Sequence, residues 1–214
     1  MTLIDEALPP RHFARLARAI RRLGTERLRT SYETTFWFPL GAPPTNVVEE
    51  AVIELRRFVP GLQGIVGVEW WLSRMYTSNV QVDFHVDRDN ALFARTGRTV
   101  SPPVSSLLYL NRCRGGLLAV TSEPANDANP ALAPDVQDFD FATPAPNRFV
   151  HFPGRLTHGV LDANNELPGR RLPRERTLRL AIAINWWQRP PLDVPRWTGS
   201  RAYRRLAPTQ RGKI

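Results

Sequence analysis

The chain has 214 residues, of which 42% are hydrophobic, so its length and composition predict a single domain with a substantial core. The net charge of +9 lies mainly at the two ends, and the one cysteine excludes an intramolecular disulfide and a thiolate-rich metal site. Because no apolar run approaches the roughly 20 residues of a membrane span, and the acidic N-terminus lacks the features of a signal peptide, a cytoplasmic protein is expected.

Two helices are predicted in the N-terminal part of the chain. Residues 11–23 repeat apolar side chains at helical spacing, with arginines on the opposite face. The apolar face consists of Phe13, Leu16, Ala17, Ile20 and Leu23. His12, in the same helix, is expected at the surface. Residues 46–58 predict a second helix, because Asn46 and Glu49 have the spacing of a capping box.

From residue 64 onward, short apolar runs predict antiparallel β-structure that closes into a sandwich or a barrel-like roll. These runs are GIVGVEWWL, NVQVDFHVD, SSLLYL, GLLAVT, RFVHF and TLRLAIAINWW. Proline-rich loops are predicted over 122–147 and 166–176. We therefore expect a mainly β protein in one domain, with helical support over 1–63, a β core over 64–187 and a basic C-terminal tail over 188–214.

The stretch NVQVDFHVDRDN, residues 79–90, places His85 and Asp87 on one face of a predicted strand. The opposite face carries Val80, Val82, Phe84 and Val86. A solvent-facing strand gives this pattern, and so does a metal site. His158 follows a predicted turn, and two imidazoles with one carboxylate form the facial triad that holds non-haem Fe(II). With those three ligands assigned, His151 is expected to pack or to support the site.

Four motifs, in order along residues 64–187, resemble those of the 2-oxoglutarate- and Fe(II)-dependent dioxygenases, especially the prolyl-4-hydroxylase-like branch. The motifs are VDFHVD, SSLLYLNRCRGG, TPAPNRFVHFPGRLTHGV and RTLRLAIAINWW. Four ordered motifs are more specific than an HxD pair alone. The resemblance implies a double-stranded β-helix (a jelly-roll, cupin-like core), with iron held at its open end by His85, Asp87 and His158.

The last predicted strand, residues 178–187, begins with a candidate binding site for 2-oxoglutarate. Alternation places Arg179 on one face with small and polar side chains. That face continues through Ala181, Ala183, Asn185 and Trp187. A guanidinium at the end of such a slot suits a carboxylate, although a surface arginine on an edge strand gives the same alternation. A bulge would place Arg176 there instead. The resemblance also implies Tyr109 as a second donor, and a core tyrosine is the alternative.

The resemblance implies a hydroxylase that uses Fe(II), 2-oxoglutarate and O2, with ascorbate as a stimulant, and that releases succinate and CO2. Its substrate would carry an amino-acid, peptidyl or other small-molecule C–H bond, and desaturation or cyclisation remain alternatives to hydroxylation. Two other functions stay open: a non-catalytic β-roll that binds a metal or ligand, and a nucleic-acid dealkylating oxygenase, which the basic ends would support. The sequence sets no oligomeric state.

Overall fold

The computed structural model describes residues 1–23, 35–77, 84–125, 138–162 and 178–197, together with Tyr203, Leu206 and Ala207. Its helices are α1, Pro10–Arg21, α2, Val47–Leu55, and α3, Asn90–Thr96, and a 3-10 turn at Arg56–Phe58 extends α2. In this part of the chain, no helix has both the length and the apolar character needed to cross a bilayer.

Helices α1 and α2 pack side by side against one face of a large sheet, as the apolar spacing predicts. Leu16, Ala17 and Ile20 of α1 are buried in this interface. His12 was expected at the surface, but its side chain is only 13% exposed. It lies against α2, next to the carboxylates of Glu50 and Glu54.

The start of α2 is fixed by side chains, as the predicted capping box requires. The Asn46 side chain accepts hydrogen bonds from the backbone N–H groups of Val48 and Glu49, at 2.9 and 3.0 Å. The Glu49 carboxylate accepts from the backbone N–H and the hydroxyl of Thr45 rather than from the N–H of Asn46. The N-cap is therefore Asn46, as predicted, and only the reciprocal bond to Glu49 comes from the preceding residue.

Nine strands in the described residues form two antiparallel sheets. The strands are β1 (Thr2–Ile4), β2 (Phe36–Pro39), β3 (Gly67–Tyr76), β4 (Val104–Tyr109), β5 (Leu118–Thr121), β6 (Asp140–Ala142), β7 (Phe149–Pro153), β8 (Thr157–Val160) and β9 (Leu178–Trp187). The larger sheet has the order β1-β7-β4-β9-β3-β2 and the smaller one the order β6-β5-β8. All pairings in both sheets are antiparallel, which agrees with the prediction.

The two faces of the larger sheet serve different purposes. On β9, Leu180, Ile182 and Ile184 point into the main core beneath α1 and α2. The alternate residues face the smaller sheet, where a second apolar cluster and a cavity lie between the sheets. The predicted alternation of the last strand is therefore confirmed, and it aims Arg179 into the cavity.

Four features differ from the sequence-based prediction. The predicted strand over residues 79–87 is described only from Phe84, and there His85 makes an isolated bridge to His158 before the chain leaves the sheet. The short helix α3 was not predicted; its N-cap, Asp89, accepts from the N–H of Leu92. Beyond β9, three aromatic or apolar side chains pack into the main core: Trp197, Tyr203 and Leu206. Strand β6, Asp140–Ala142, lies within the predicted loop over 122–147. Residues 126–137 of that loop and residues 166–176 lie outside the described residues.

Candidate metal and 2-oxoglutarate site

The structure brings His85, Asp87 and His158 together at the edge of the cavity. The Nε2 atoms of the two histidines lie 3.7 and 3.6 Å from the two carboxylate oxygens of Asp87. One ligand atom from each of the three residues can be chosen so that all lie within 4.8 Å of one another. This is the group that the HxD motif and the distal histidine predict.

Backbone pairing places the two histidines side by side. The N–H of His85 donates to the carbonyl of His158, and the N–H of His158 donates to the carbonyl of His85, at 3.0 and 2.9 Å. The ring of His158 is oriented further by the Leu156 carbonyl, 3.1 Å from Nδ1. The tautomer that carries its proton on Nδ1 donates to this carbonyl and directs the lone pair of Nε2 towards Asp87.

A serine on β4 fixes the carboxylate. Ser105 Oγ donates to Asp87 Oδ2 at 2.6 Å, a length typical of a hydrogen bond to a charged acceptor. Burial raises the pKa of Asp87, but the charges that His158 and His85 carry when protonated, and the bonds from His85 and Ser105, outweigh it, so the pKa lies well below the usual range. Asp87 is therefore ionised at neutral pH.

The imidazole of His158 is in the protonation state that a metal ligand needs. Burial lowers the pKa of His158, and the charge of His85 acts in the same direction, while Asp87 and the Leu156 carbonyl oppose them. The ring is accordingly neutral at physiological pH, and metal ligands must be deprotonated.

The three side chains fit a divalent iron. Two nitrogens and one carboxylate oxygen are the donors of the non-haem Fe(II) facial triad. Donor atoms that bind one ion at about 2.1 Å in roughly perpendicular directions lie about 3 Å apart. The 3.6 and 3.7 Å separations are close to that value. Small side-chain rotations would bring all three donors onto one ion.

The second part of the site is a buried arginine. Arg179 on β9 is 1% exposed and lines the same cavity as the two histidines and Asp87. Its Nε donates to the carbonyl of Gly116 at 3.1 Å, and its Nη2 donates to the Tyr109 hydroxyl at 3.3 Å. None of the ion pairs between described residues includes Arg179. A buried cation without a counter-charge from the described chain is suited to an anionic ligand.

Tyr109 and Gly116 shape the environment of this guanidinium. Burial raises the pKa of Tyr109 although Arg179 opposes the shift, so the phenol keeps its proton. Because its oxygen accepts from Arg179, its own O–H remains available to donate to the same ligand. A Cβ atom at Gly116, where φ is +69°, would lie 3.0 Å from Cδ of Arg179 and 2.7 Å from a methyl of Thr77. Gly116, the second glycine of the predicted Gly-Gly motif, is therefore required for the arginine to fit.

The remaining sequence candidates are placed as follows. Arg176, the alternative to Arg179, lies outside the described residues. His151 on β7 is buried and lies opposite Ser106 of β4. Its side chain packs beside Phe149, which belongs to the main core. It therefore lies on the opposite face of the sheet from Asp87 and does not support the site. Among the tryptophans, Trp71 lines the cavity.

Sequence reasoning assigned no role to three polar residues of the cavity face: Ser105, Asn185 and Glu69. The strand register places them side by side, since Ser105 pairs with Asn185 across β4 and β9, and Asn185 pairs with Glu69 across β9 and β3. The alternation of each strand could have placed Ser105 and Glu69 on the cavity face. Ser105 lies four residues before Tyr109, and Glu69 lies two residues before Trp71, so each pair shares a face of its strand.

Glu69 is the most perturbed carboxyl of the described residues outside the triad. The pKa of Glu69 is raised to about 7, mainly by burial and next by the negative charge of Asp87. The side chains of Thr35 and Trp187 lower this pKa, and the charge of Asp89 raises it slightly. The Trp187 indole N–H lies near this carboxyl but has no partner at hydrogen-bond distance.

The raised pKa of Glu69 predicts a stability that falls with pH. The unfolded chain releases this proton near pH 4.5 and the folded chain near pH 7, so the folded state loses stability as pH rises through that interval. Glu69→Gln removes the cost of ionising this buried carboxyl. The gain in free energy of unfolding over the wild type should therefore be larger at pH 8 than at pH 5, by on the order of 1–3 kcal/mol. Urea denaturation in EDTA at both pH values measures this, with the exposed Glu6→Gln as control. Equal differences at both values would contradict the assignment.

Comparison with solved structures identifies the fold. A prolyl-4-hydroxylase from Pseudomonas putida aligns over 90% of this chain and 86% of its own, with a TM-score of 0.52 and 21% identity. Apo HygX from Streptomyces hygroscopicus aligns over 86% of this chain and 80% of its own, with a TM-score of 0.52 and 14% identity. HygX with nickel and 2-oxoglutarate bound aligns over the same fractions, 86% and 80%, with a TM-score of 0.50 and 15% identity.

No protein-family profile and no curated protein matches the sequence. The structural matches confirm the predicted mainly β fold with N-terminal helices and a double-stranded β-helix core. The resemblance to prolyl-4-hydroxylase-like dioxygenases is thereby confirmed at the level of the fold. What the chain does with that fold depends on its own cavity residues.

Proposed function

We propose that this protein is a non-haem Fe(II)- and 2-oxoglutarate-dependent oxygenase that hydroxylates an amino-acid, peptidyl or other small-molecule C–H bond. The observation that carries the proposal is the presence of two complementary groups in one cavity. His85, Asp87 and His158 provide the donor set for Fe(II), and Arg179 provides a buried cation for a carboxylate. A HygX structure in the same fold holds nickel and 2-oxoglutarate.

The chain's own residues position the reactants. His85, Asp87 and His158 would hold the iron, which when bound supplies the O2-dependent oxidation that releases succinate and CO2 from 2-oxoglutarate. Arg179 and Tyr109 would donate hydrogen bonds to the distal carboxylate of 2-oxoglutarate and fix its orientation. Apolar side chains from both sheets exclude water around these groups: Leu107, Leu118, Phe152, Val160 and Ala183.

The buried guanidinium favours an enzyme over a non-catalytic β-roll. Burying an arginine without a counter-charge is costly, and a protein that only held a metal would have no use for it. The basic ends would favour nucleic acid, but the arginines of α1 face away from the core and do not line this cavity. The cavity chemistry therefore supports a small-molecule or peptidyl substrate.

The proposal is tested by succinate formation in the absence of substrate. Purified protein supplied with Fe(II), 2-oxoglutarate, O2 and ascorbate should convert 2-oxoglutarate slowly to succinate, and omission of Fe(II) or O2 should stop the reaction. Quantification of succinate by mass spectrometry is the readout. A complete lack of succinate from protein that binds both Fe(II) and 2-oxoglutarate would contradict the proposal.

Ser105 should tune the affinity for the metal without being a ligand. Ser105→Ala removes the 2.6 Å bond to Asp87, so the carboxylate loses its orientation and part of its charge stabilisation. We expect Fe(II) affinity to fall by about 10-fold to 100-fold, with the affinity for 2-oxoglutarate changed only through the metal. Equilibrium dialysis measures this. Ser106→Ala is the matched control, because Ser106 bonds to Ile184 and Trp186; equal losses in both variants would contradict the role of Ser105.

A further inference from the structure

A row of polar side chains continues the cavity face beyond Asp87. Ser105, which donates to Asp87, is followed across the sheet by Asn185 and then by Glu69. Side chains opposite one another on neighbouring strands have Cβ atoms about 5 Å apart, so Glu69 lies about 10 Å across the sheet from Ser105. Asn185 lines the cavity, as do Trp71 and Ser73 on the Glu69 face of β3.

Two polar side chains, Asn185 and Glu69, lie opposite each other at this end of the cavity. Asn185 is 4% exposed and lines the cavity. The hydroxyl of Ser73, which is paired with Ala181 and lies nearer to Arg179, is buried without a partner among the described residues. Glu69 is half-buried and takes part in no ion pair between described residues. A half-buried carboxylate without a cationic partner, next to a polar side chain of the cavity, indicates a ligand that supplies the cation.

The charge of this region determines which ligand fits. Asp87 and Asp89 both act on Glu69 with negative charge. The Asp89 carboxylate is already occupied, since it accepts from Arg189 at 3.0 Å and from the N–H of Leu192 at 3.1 Å. Glu69 therefore lies in a locally negative environment, although the chain as a whole has a net charge of +9. A ligand cation would supply the missing counter-charge.

We propose that Glu69 and Asn185 bind a cationic group, an ammonium or a guanidinium, of the organic substrate. This inference rests on the proposed function and specifies its substrate class: an amine-bearing or guanidine-bearing molecule or peptide residue. The Glu69 carboxylate would pair with the cation, and the amide oxygen of Asn185 would accept a second hydrogen bond from it. With the cation held there, a C–H bond within the length of a lysine or arginine side chain would reach the neighbourhood of Asp87.

The two ends of the cavity would then select ligands of opposite charge. Arg179 and Asn185 are six positions apart on β9, which corresponds to about 20 Å along the strand. The Arg179 end favours the dicarboxylate, and the Glu69 end repels it while attracting a cation. This separation would prevent 2-oxoglutarate from occupying the substrate position.

Matched probes test the inference directly. Benzylamine, benzylguanidine and benzyl alcohol differ in charge but share one ring, and their binding can be titrated by ligand-observed NMR at pH 8 without O2. The sample is the full chain loaded with Fe(II) and 2-oxoglutarate. The wild type should bind one or both cations about tenfold more tightly than the alcohol, and Glu69→Gln should remove that preference without weakening the alcohol. Glu6→Gln is the control and should behave as the wild type.

Each outcome decides the question. No detectable binding of either cation to the wild type, or equal binding to the wild type and Glu69→Gln, would overturn the inference. Loss of folding is not a concern for Glu69→Gln, which is expected to be the more stable protein at pH 8. Succinate formation by the wild type is measured separately, so a chain that prefers the cations but forms no succinate would refute the proposed function alone. A chain that forms succinate without the preference would refute the cation site alone.

Discussion

His158→Ala and His85→Ala should each reduce succinate formation to background and weaken Fe(II) binding by more than about 100-fold. Each change removes one of three donor atoms that lie within 4.8 Å of one another. With one imidazole absent, Asp87 and a single histidine remain, and a divalent ion held by two protein ligands exchanges readily with solvent. Fe(II) stoichiometry after equilibrium dialysis and succinate yield are the two measurements.

The matched control for these variants is His151→Ala. His151 is buried and lies on β7, but on the face of the sheet opposite the proposed ligands. Its loss should cost stability through packing and leave Fe(II) binding intact. Full succinate formation by either His85→Ala or His158→Ala would show that the iron site lies elsewhere.

Arg179→Ala should raise the Michaelis constant for 2-oxoglutarate by about 30-fold or more, while Fe(II) binding persists. The loss of one partner from a buried, hydrogen-bonded charge pair costs roughly 2–5 kcal/mol. Arg179 is suited to that role because it is 1% exposed and lines the cavity. Tyr109→Phe, which removes a neutral donor, should raise the constant by a smaller factor, about 10-fold or less. Initial rates of succinate formation over a range of 2-oxoglutarate concentrations give these values.

Two other arginines serve as controls for Arg179. Arg74 is 6% exposed on β3, but it lies on the opposite face of the sheet and donates to Tyr76. Arg74→Ala should lower stability and leave the Michaelis constant unchanged. Arg176 was the alternative anchor in the sequence. If Arg176→Ala raises the constant and Arg179→Ala does not, the assignment of β9 residues to the cavity is wrong.

Local sequence patterns were sufficient for much of the site. The alternation of β9 predicts that Arg179 shares a face with Ala181 and Ala183, and the structure places it there. The HxD spacing and the distal histidine predict a group that the fold brings together. These features depend on the two-residue period of a strand, which is a local property. The faces on which Arg179, His85 and Asp87 lie could therefore be predicted without knowledge of which strands pair, whereas the approach of His158 depends on its bridge to His85.

Strand pairing and helix packing were beyond local reasoning. The row formed by Ser105, Asn185 and Glu69 exists because β4, β9 and β3 are neighbours in the sheet, and these strands are far apart in the chain. The alternation of a strand predicts which face of the sheet a residue lies on, but it does not predict which residue of another strand lies next to it. The same limit explains His12, which was expected in solvent but lies against α2, because the orientation of two packed helices is a tertiary property.

The central claim is that one cavity holds both iron and 2-oxoglutarate through this chain's own residues. A crystal structure grown without O2 in the presence of Fe(II) and 2-oxoglutarate, with anomalous diffraction data at the iron edge, tests it most directly. We predict a single anomalous peak per chain between His85, Asp87 and His158, and electron density for the distal carboxylate of 2-oxoglutarate at Arg179. An iron peak bound by other residues, or 2-oxoglutarate bound away from Arg179, would contradict the account.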